Sequence, residues 1–133
     1  MVVSAAGRWR EEKVKFIAQL GDIVDSKAKR NDSSEADCQN VLAELHKSKS
    51  EYLVNIIGNH ELYNFSRTKL DELLDVKRGG LDTWHTFLPV TGSKLRVVVL
   101  DPYQVSTIQG STEENTKSAF DYLHKHNPND ITK

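Results

Sequence analysis

The fold is decided by two stretches of sequence: Phe-Ile-Ala-Gln-Leu-Gly-Asp (residues 16–22) and Tyr-Leu-Val-Asn-Ile-Ile-Gly-Asn-His-Glu (residues 52–61). Each begins with a short apolar run, and each run stops at a glycine, Gly21 or Gly58. A short apolar run bounded by a turn residue is typical of a buried strand. We therefore predict buried strands at residues 16–20 and 52–57, each followed by a polar turn.

The segment between these strands has the pattern of an amphipathic helix. Ser33 and Ser34 can cap its beginning, and Asp37 follows Ser34 by three residues. Apolar residues then recur at the i, i+3, i+4, i+7 spacing, at Cys38, Val41, Leu42 and Leu45. A strand, a helix and a strand within about forty residues have the size of a βαβ unit, whose two strands run parallel.

The rest of the chain continues the alternation of helices and strands, so the predicted class is α/β. We predict strands at residues 84–88 and 95–100; the intervening turn residues fit a hairpin, although one segment could lie elsewhere in the sheet. We also predict a helix at residues 64–74 and a last helix that begins near Ser111, with Glu114 completing a capping box. The residues expected to face inward are Leu70, Leu73 and Leu74 in the first helix, and Ala119, Phe120 and Leu123 in the second.

The composition of the chain restricts its expected cellular location and its expected partners. With 133 residues, 38% of them hydrophobic and 28% charged, the chain has room for one modest hydrophobic core. A net charge of −1 with scattered basic residues predicts neither a nucleic-acid partner nor an anionic membrane surface. Cys38 is the only cysteine, which excludes an internal disulfide, and we expect it to pack rather than react. Because the first residues also lack the features of a signal peptide, we expect a cytoplasmic location.

Polar residues with metal-binding side chains follow both predicted strands. Asp22 and Asp25 follow the first, and Asn59 and His60 follow the second. Ligands bind beyond the carboxyl ends of the strands in open α/β sheets, and parallel neighbours bring those ends to one edge. Carboxylate, amide oxygen and imidazole are ligands for Mn²⁺, Fe, Zn²⁺ or Mg²⁺. Gly-Asp alone after a strand is usually just a turn, whereas Gly-Asn-His-Glu is more specific, with a capping Asn and a hydrogen-bonded His as its alternative. The matched pair predicts a metal site.

Two such ions, about 3.5–4 Å apart, can hold a phosphoryl group and lower the pKa of a bound water. Asp22 is the candidate bridge between them, since a carboxylate has two oxygens and a negative charge. The pair of motifs, Gly-Asp-x-x-Asp at residues 21–25 and Gly-Asn-His-Glu at residues 58–61, resembles the central motifs of the calcineurin-like metallophosphoesterases.

The resemblance implies a fold and a role for each site residue. The fold would be part of a metallophosphoesterase β-sandwich flanked by helices. Asp22 would bridge a dinuclear centre, Asn59 would bind its second metal, and His60 would be the catalytic residue that stabilises the reacting phosphate or protonates the leaving group. Asp25 could orient a metal-bound group or simply cap the following turn.

Further stretches resemble one branch of that family, the manganese-dependent ADP-ribose/CDP-alcohol diphosphatases. They are residues 8–12, 20–23, 58–67, 99–103 and 126–129. The resemblance implies Mn²⁺-dependent cleavage of the pyrophosphate of ADP-ribose, CDP-alcohols and similar nucleotide-type small molecules, with release of AMP or CMP.

For four further residues near these motifs we expect structural roles rather than metal binding or catalysis. Glu61 is expected to accept hydrogen bonds from backbone donors rather than bind a metal directly. Tyr63 and Phe65 are expected to pack in the core, and Arg67 to be a surface charge on a helix.

The chain also departs from the family pattern. The family opens with a strand bearing Asp-x-His or Asp-x-Gln, but only fifteen residues precede Phe16 and none of them is an aspartate. The family's later Gly-His pairs have no counterpart here. We therefore expect residues 1–133 to be the central portion of a single metallophosphoesterase domain, an incomplete domain that is inactive or weakly active in isolation.

Two alternatives stay open at this point. A Ser/Thr protein phosphatase shares the Gly-Asp-x-Val-Asp motif, but its pattern continues with Arg-Gly, where this chain has Ser26-Lys27. A non-catalytic truncated module would account for the missing ligands. The sequence does not determine the preferred nucleotide, the metal used in the cell or the oligomeric state.

Overall fold

The computed structural model describes residues 2–75, 84–87, 91–92, 94–103, 105–108, 113–127 and 129. Helices and strands alternate along them, as expected for the α/β class. In chain order the elements are α1 (Val2–Glu11), β1 (Phe16–Gln19), a 3-10 helix (Ser26–Asn31), α2 (Ser34–His46), β2 (Tyr52–Asn55), α3 (Asn59–Asn64), α4 (Arg67–Leu74), β3 (Trp84–Phe87), β4 (Val97–Leu100) and α5 (Glu113–His126).

Strands β1 and β2 pair in parallel, which confirms the predicted βαβ unit. Phe16 lies opposite Tyr52, and Gln19 lies opposite Asn55. Both strands are shorter than predicted, and β1 is buried on one face only. Ile17 is buried, whereas Ala18 is exposed and Leu20, beyond the end of the strand, is 75% exposed.

Helix α2 supplies much of the core. Of its four predicted inward residues, Cys38, Leu42 and Leu45 are buried and Val41 is half-buried. Ser33 occupies the N-cap position, but its hydroxyl donates to the Asp37 carboxylate (2.7 Å) instead of capping the backbone. The core cluster also includes residues of the loops after β1 and β2, and it comprises Val24, Cys38, Leu42, Leu45, Ile57, Leu62, Phe65, Leu70 and Leu74.

The predicted helix at residues 64–74 is wrong at its beginning. Asn64 ends α3, the backbone is extended at Phe65 and Ser66, and α4 begins at Arg67. The Ser66 side chain accepts a hydrogen bond from the Lys69 N–H (3.2 Å) and thereby caps α4. The break lets α3 and α4 bury separate faces in the same core.

Strands β3 and β4 form the predicted antiparallel pair, with Trp84 opposite Leu100. One face of β4 is open, since Val98 and Leu100 are 55% and 64% exposed. In α5, Ala119 is buried as predicted, but Phe120 is 38% exposed, so its predicted inward position is wrong. The predicted cap at Ser111 lies outside the described residues. None of the helices in the described ranges has the length and apolar character needed to cross a membrane.

Candidate metal centre

The loops that follow β1 and β2 meet at one edge of the parallel sheet. Asp22 and His60, 38 residues apart, are joined by a hydrogen bond from the His60 backbone N–H to the Asp22 Oδ1 (3.0 Å). The carboxylate therefore lies against the first turn of α3, which begins at Asn59. Asp22 is exposed, and Asn59 and His60 are half-buried. The predicted convergence of the two loops is present in the structure.

Both glycines are required by this close approach. Gly21 adopts φ +89°, and a Cβ there would lie 2.6 Å from the Gly58 nitrogen. A Cβ at Gly58 would lie 2.2 Å from the Asp22 Oδ1. Asp22 itself is left-handed, with φ +55°. Aspartate is one of the few residues that tolerate this region, because its short side chain can form local hydrogen bonds.

Glu61 joins the two loops through their backbones. Its side chain is fully buried, with 0% exposure. Its carboxylate accepts hydrogen bonds from the N–H groups of Asp22 (2.7 Å), Ile23 (2.7 Å), Gly58 (2.8 Å) and, more weakly, Val24 (3.4 Å). Both oxygens are used, so the expectation that Glu61 accepts from backbone donors is confirmed.

Asn64 holds the far end of the first loop, and sequence reasoning missed it. Its Nδ2 donates to the backbone oxygens of His60 (2.8 Å) and Asp25 (3.2 Å). Its Oδ1 accepts from the Ser34 hydroxyl at the start of α2 (2.7 Å). The available signal was a polar residue placed between Tyr63 and Phe65, inside a stretch otherwise assigned to packing.

Asp25 has a capping role in the structure. Its Oδ1 accepts a hydrogen bond from the Lys27 N–H (2.7 Å) at the start of the 3-10 helix. Of the two roles left open by the sequence, capping is therefore observed, and a role in orienting a metal-bound group stays a prediction.

The aromatic residues after His60 divide between the core and the surface. Phe65 is 8% exposed, so its predicted core position is confirmed. Tyr63 is 41% exposed, so the same prediction is wrong for it. Its ring lies 5.9 Å from the His60 ring, centroid to centroid, and is tilted by 43°.

Arg67 is not the free surface charge that the sequence suggested. Its guanidinium forms an ion pair with Asp101 and donates to the Tyr103 backbone oxygen (3.1 Å). The Asp101 Oδ1 accepts from the Tyr103 N–H (2.9 Å). Only 22% of the Arg67 side chain and 15% of the Asp101 side chain are exposed. This pair connects α4 to the segment that follows β4.

Cys38 is a packing residue, as predicted. It is fully buried and is a free thiol. Burial raises the pKa of the Cys38 thiol to about 11, and the negative charges of Glu61 and Glu35 add to this effect. A thiol with so high a pKa is protonated at neutral pH, which makes it a poor nucleophile.

The side chains gathered at this site are of types that bind divalent cations, but they are few. Asp22, Asn59 and His60 offer a carboxylate, an amide oxygen and an imidazole, which are ligands for Mn²⁺ and related ions. Among the residues described by the structure, no three His, Cys, Asp or Glu side chains stand close enough to form a metal-binding group. These residues therefore fit part of a cation site.

Comparison with known proteins identifies a set of similar enzymes, although no family model matches the chain. A manganese-dependent ADP-ribose/CDP-alcohol diphosphatase from Danio rerio is 35% identical over 93% of this chain. A protein of the same name from Arabidopsis thaliana is 34% identical over 94% of the chain. The chain spans 42% and 40% of the length of these two relatives.

The fold agrees with that similarity. A crystal structure of a dimetal phosphatase from Danio rerio superposes with a TM-score of 0.77 and 33% sequence identity. The match covers 96% of this chain and 42% of that one. The resemblance of this chain to the calcineurin-like metallophosphoesterases, and among them to the manganese-dependent ADP-ribose/CDP-alcohol diphosphatases, is thus confirmed in both sequence and fold.

Proposed function

We propose that this chain forms part of a catalytic domain that hydrolyses the diphosphate linkage of a nucleotide with the help of Mn²⁺. Residues 1–133 would be the central portion of a single metallophosphoesterase domain. ADP-ribose and CDP-alcohols, the compounds in the names of the relatives, are the proposed substrate class. Mn²⁺ is the preferred ion because it appears in the same names, and the proposed centre is dinuclear, as the term dimetal phosphatase suggests.

One observation carries the proposal. The Asp22 carboxylate lies 3.0 Å from the backbone nitrogen of His60, although Asp22 lies in the loop after β1 and His60 lies in α3, which follows β2. This contact supports a common site for Asp22, Asn59 and His60 at the carboxyl edge of the sheet, where ligands of α/β proteins bind.

Each side chain has a distinct proposed role. Asp22 would supply a negatively charged ligand that can bridge two ions, and Asn59 would supply a neutral oxygen ligand. His60 can hydrogen-bond to the phosphate or give a proton to the leaving oxygen. Divalent cations, when bound, neutralise charge on phosphoryl oxygens and make a bound water more acidic.

The proposed setting is the cytoplasm, with a small-molecule substrate and no nucleic-acid or membrane partner. The free, buried thiol of Cys38 supports a reducing compartment. The chain's net charge of −1 supports the absence of a nucleic-acid partner.

The test is hydrolysis of ADP-ribose and of a CDP-alcohol, with Mn²⁺, by the chain extended at both ends to the length of its relatives, because the isolated chain is expected to be inactive or weakly active. AMP or CMP is then separated by chromatography. Asp22→Asn should lower turnover by more than the roughly 10–100-fold that loss of an outer partner of a metal ligand costs. Asp75→Asn is a matched control, because Asp75 is also an exposed, left-handed aspartate (φ +47°) but lies at the end of α4. Asparagine tolerates the left-handed region, so neither change strains the backbone.

The other outcomes separate the alternatives. Full turnover in the Asp22→Asn variant would contradict the proposed ligand role. Hydrolysis of a phosphoserine peptide in preference to both nucleotides would indicate a protein phosphatase. If the extended protein neither binds Mn²⁺ nor hydrolyses either nucleotide, the chain is a non-catalytic module.

A further inference from the structure

We infer that Glu61 and Asn64 are positioning residues that fix the loop of residues 22–25 against α3 before any cation binds. The inference rests on the proposed function, since it is the proposed metal ligand Asp22 that these residues would hold. Neither side chain is itself a proposed ligand. Each acts through hydrogen bonds to the backbone of the loops.

The Glu61 contacts hold the beginning of the loop. The N–H of Asp22, the proposed bridge, donates one of the shortest of these bonds to the Glu61 Oε2 (2.7 Å). Gly58, just before Asn59, donates to the same carboxylate oxygen, Oε2 (2.8 Å). One oxygen atom thus sets the separation between the two loops. A fully buried carboxylate is stable here because charge-assisted hydrogen bonds from backbone N–H groups replace its hydration.

The Asn64 contacts hold the end of the loop. The side-chain amide bridges the backbone oxygens of Asp25 and His60, so it connects the loop to the turn of α3 that carries His60. Its own orientation is fixed by the Ser34 hydroxyl. The loop is therefore held at both ends by one short helix, in which Glu61 and Asn64 are three positions apart, about one helical turn.

This double attachment is what the geometry of Asp22 requires. The residue has φ +55°, a region that aspartate tolerates but that is less populated than the common ones, so contacts with its surroundings help to keep it there. Without the attachments the loop would sample other conformations, and the Asp22 carboxylate would spend less time against α3. A binding site that is populated for only part of the time loses apparent affinity in proportion to that fraction.

The experiment compares Glu61→Gln and Asn64→Asp with the unaltered chain. Glutamine keeps the size of glutamate but has one oxygen, and its NH₂ group would face backbone donors. Aspartate at position 64 keeps the acceptor for Ser34 but cannot donate to the two carbonyl oxygens. Glu12→Gln and Asn40→Asp are the matched controls, because both residues are exposed on the surfaces of other segments.

The first readout is amide hydrogen exchange in the absence of metal. In Glu61→Gln, exchange should accelerate at least about 10-fold at residues 22, 23 and 58 and should stay slow at Leu42 and Leu45 in α2. The α2 amides also report whether the variant is still folded. Unchanged exchange at residues 22, 23 and 58 would overturn the inference.

The second readout is the affinity for Mn²⁺, measured by calorimetry. Each variant should bind about 10–100-fold more weakly than the unaltered chain, whereas the controls should bind equally well. In an Asp22→Asn background the further loss from Glu61→Gln should disappear, because Glu61 acts through Asp22. Additive losses, or faster exchange with unchanged affinity, would show a merely structural role and overturn the positioning inference.

The two readouts keep the proposals distinguishable. If the unaltered chain binds no Mn²⁺, the proposed metal-binding role of this chain fails, whereas the positioning inference is still tested by the exchange rates measured without metal. The exchange rates in that case still decide whether Glu61 fastens the two loops together.

Discussion

Where the loops after β1 and β2 meet, single residues are closely packed. Gly58 has an ordinary extended backbone, so its importance comes from contact and not from φ. A methyl group at this position would lie 2.2 Å from the Asp22 Oδ1 and 2.6 Å from the Asp22 nitrogen, and one of the two loops would have to move. The close approach of the loops thus depends on one missing side chain.

We predict that Gly58→Ala destabilises the chain by about 1–3 kcal/mol, the usual cost of overpacking. The measurement is the free energy of unfolding from urea titration. Gly7→Ala is the control: Gly7 lies inside α1 and a Cβ there meets nothing within 4 Å, so alanine should stabilise by about 0.5–1 kcal/mol. An equal effect at both positions would contradict the close approach seen at Gly58.

Cys38 gives a prediction about alkaline pH. Its pKa is about 11 in the folded chain, against an ordinary value of 9.0. Between these values the unfolded chain loses the proton while the folded chain keeps it, so the free energy of unfolding falls as pH rises from 9 to 11. Below pH 9 the contribution is fully present. The loss amounts to at most about 3 kcal/mol.

The check is a series of urea titrations from pH 8 to pH 11 on the unaltered chain and on Cys38→Ala. Alanine leaves a cavity and lowers stability at every pH, but it removes the thiol ionisation. The gap between the two curves should therefore narrow at high pH. Parallel curves would mean that the thiol is not held protonated by burial.

At the residue scale, hydrogen-bond partners within one motif could be predicted from the sequence, whereas partners distant in sequence could not. Glu61 follows Gly58 by three residues, the spacing at which a side chain reaches back to the first N–H of a helix, so its backbone role was predictable. The roles of Asn64 and Arg67 depend on Asp25, Ser34 and Asp101, which lie more than 29 positions away. Nothing in local pattern reveals such contacts.

At the scale of elements, the connection between α4 and the segment after β4 depends on a partly buried ion pair. Arg67 and Asp101 are both mostly withdrawn from water, and each also bonds to the backbone at Tyr103. Hydrogen bonds to charged groups contribute more than neutral ones, and loss of one partner leaves the other charge poorly solvated.

We predict that Arg67→Met lowers the free energy of unfolding by about 2–4 kcal/mol, since it removes the guanidinium that pairs with the Asp101 carboxylate. Arg8→Met is the control, because the Arg8–Glu12 pair in and after α1 is exposed (78% and 53%) and should contribute less than about 1 kcal/mol. A double-mutant cycle with Asp101→Asn measures the coupling directly. A coupling energy near zero would show that Arg67 and Asp101 do not depend on each other.

The spacing of hydrophobic residues predicted the elements correctly where one face of the element packs against the core. It failed where the chain changes direction. The inward residues of α2 follow the helical spacing closely, and the parallel pairing of β1 with β2 follows from the length of the connection. The break at Phe65 and Ser66 was missed because the leucines of α4 continue a plausible helical pattern. Phe120 was misplaced because an apolar residue at helical spacing need not face the core.

At the scale of the whole molecule, the proposed cation site lies at the edge where β1 and β2 end, and the core cluster lies directly beneath its loops. Val24 and Ile57, from the loops after the two strands, belong to that cluster. A cation held by both loops would therefore bind the folded chain and not the unfolded one, where Asp22 and His60 are 38 residues apart. Binding to the folded state alone stabilises it by mass action.

We predict that Mn²⁺ at about 100 times its dissociation constant raises the free energy of unfolding by about 2.7 kcal/mol. For a chain of this length that corresponds to a rise in Tm of roughly 10 °C, which a chelator should reverse. The rise should vanish in Asp22→Asn and persist in Asp75→Asn, whose aspartate has a similar backbone conformation but lies at the end of α4. An equal rise in both variants would place the bound ion elsewhere, with His124 and His126 at the end of α5 as the first residues to replace.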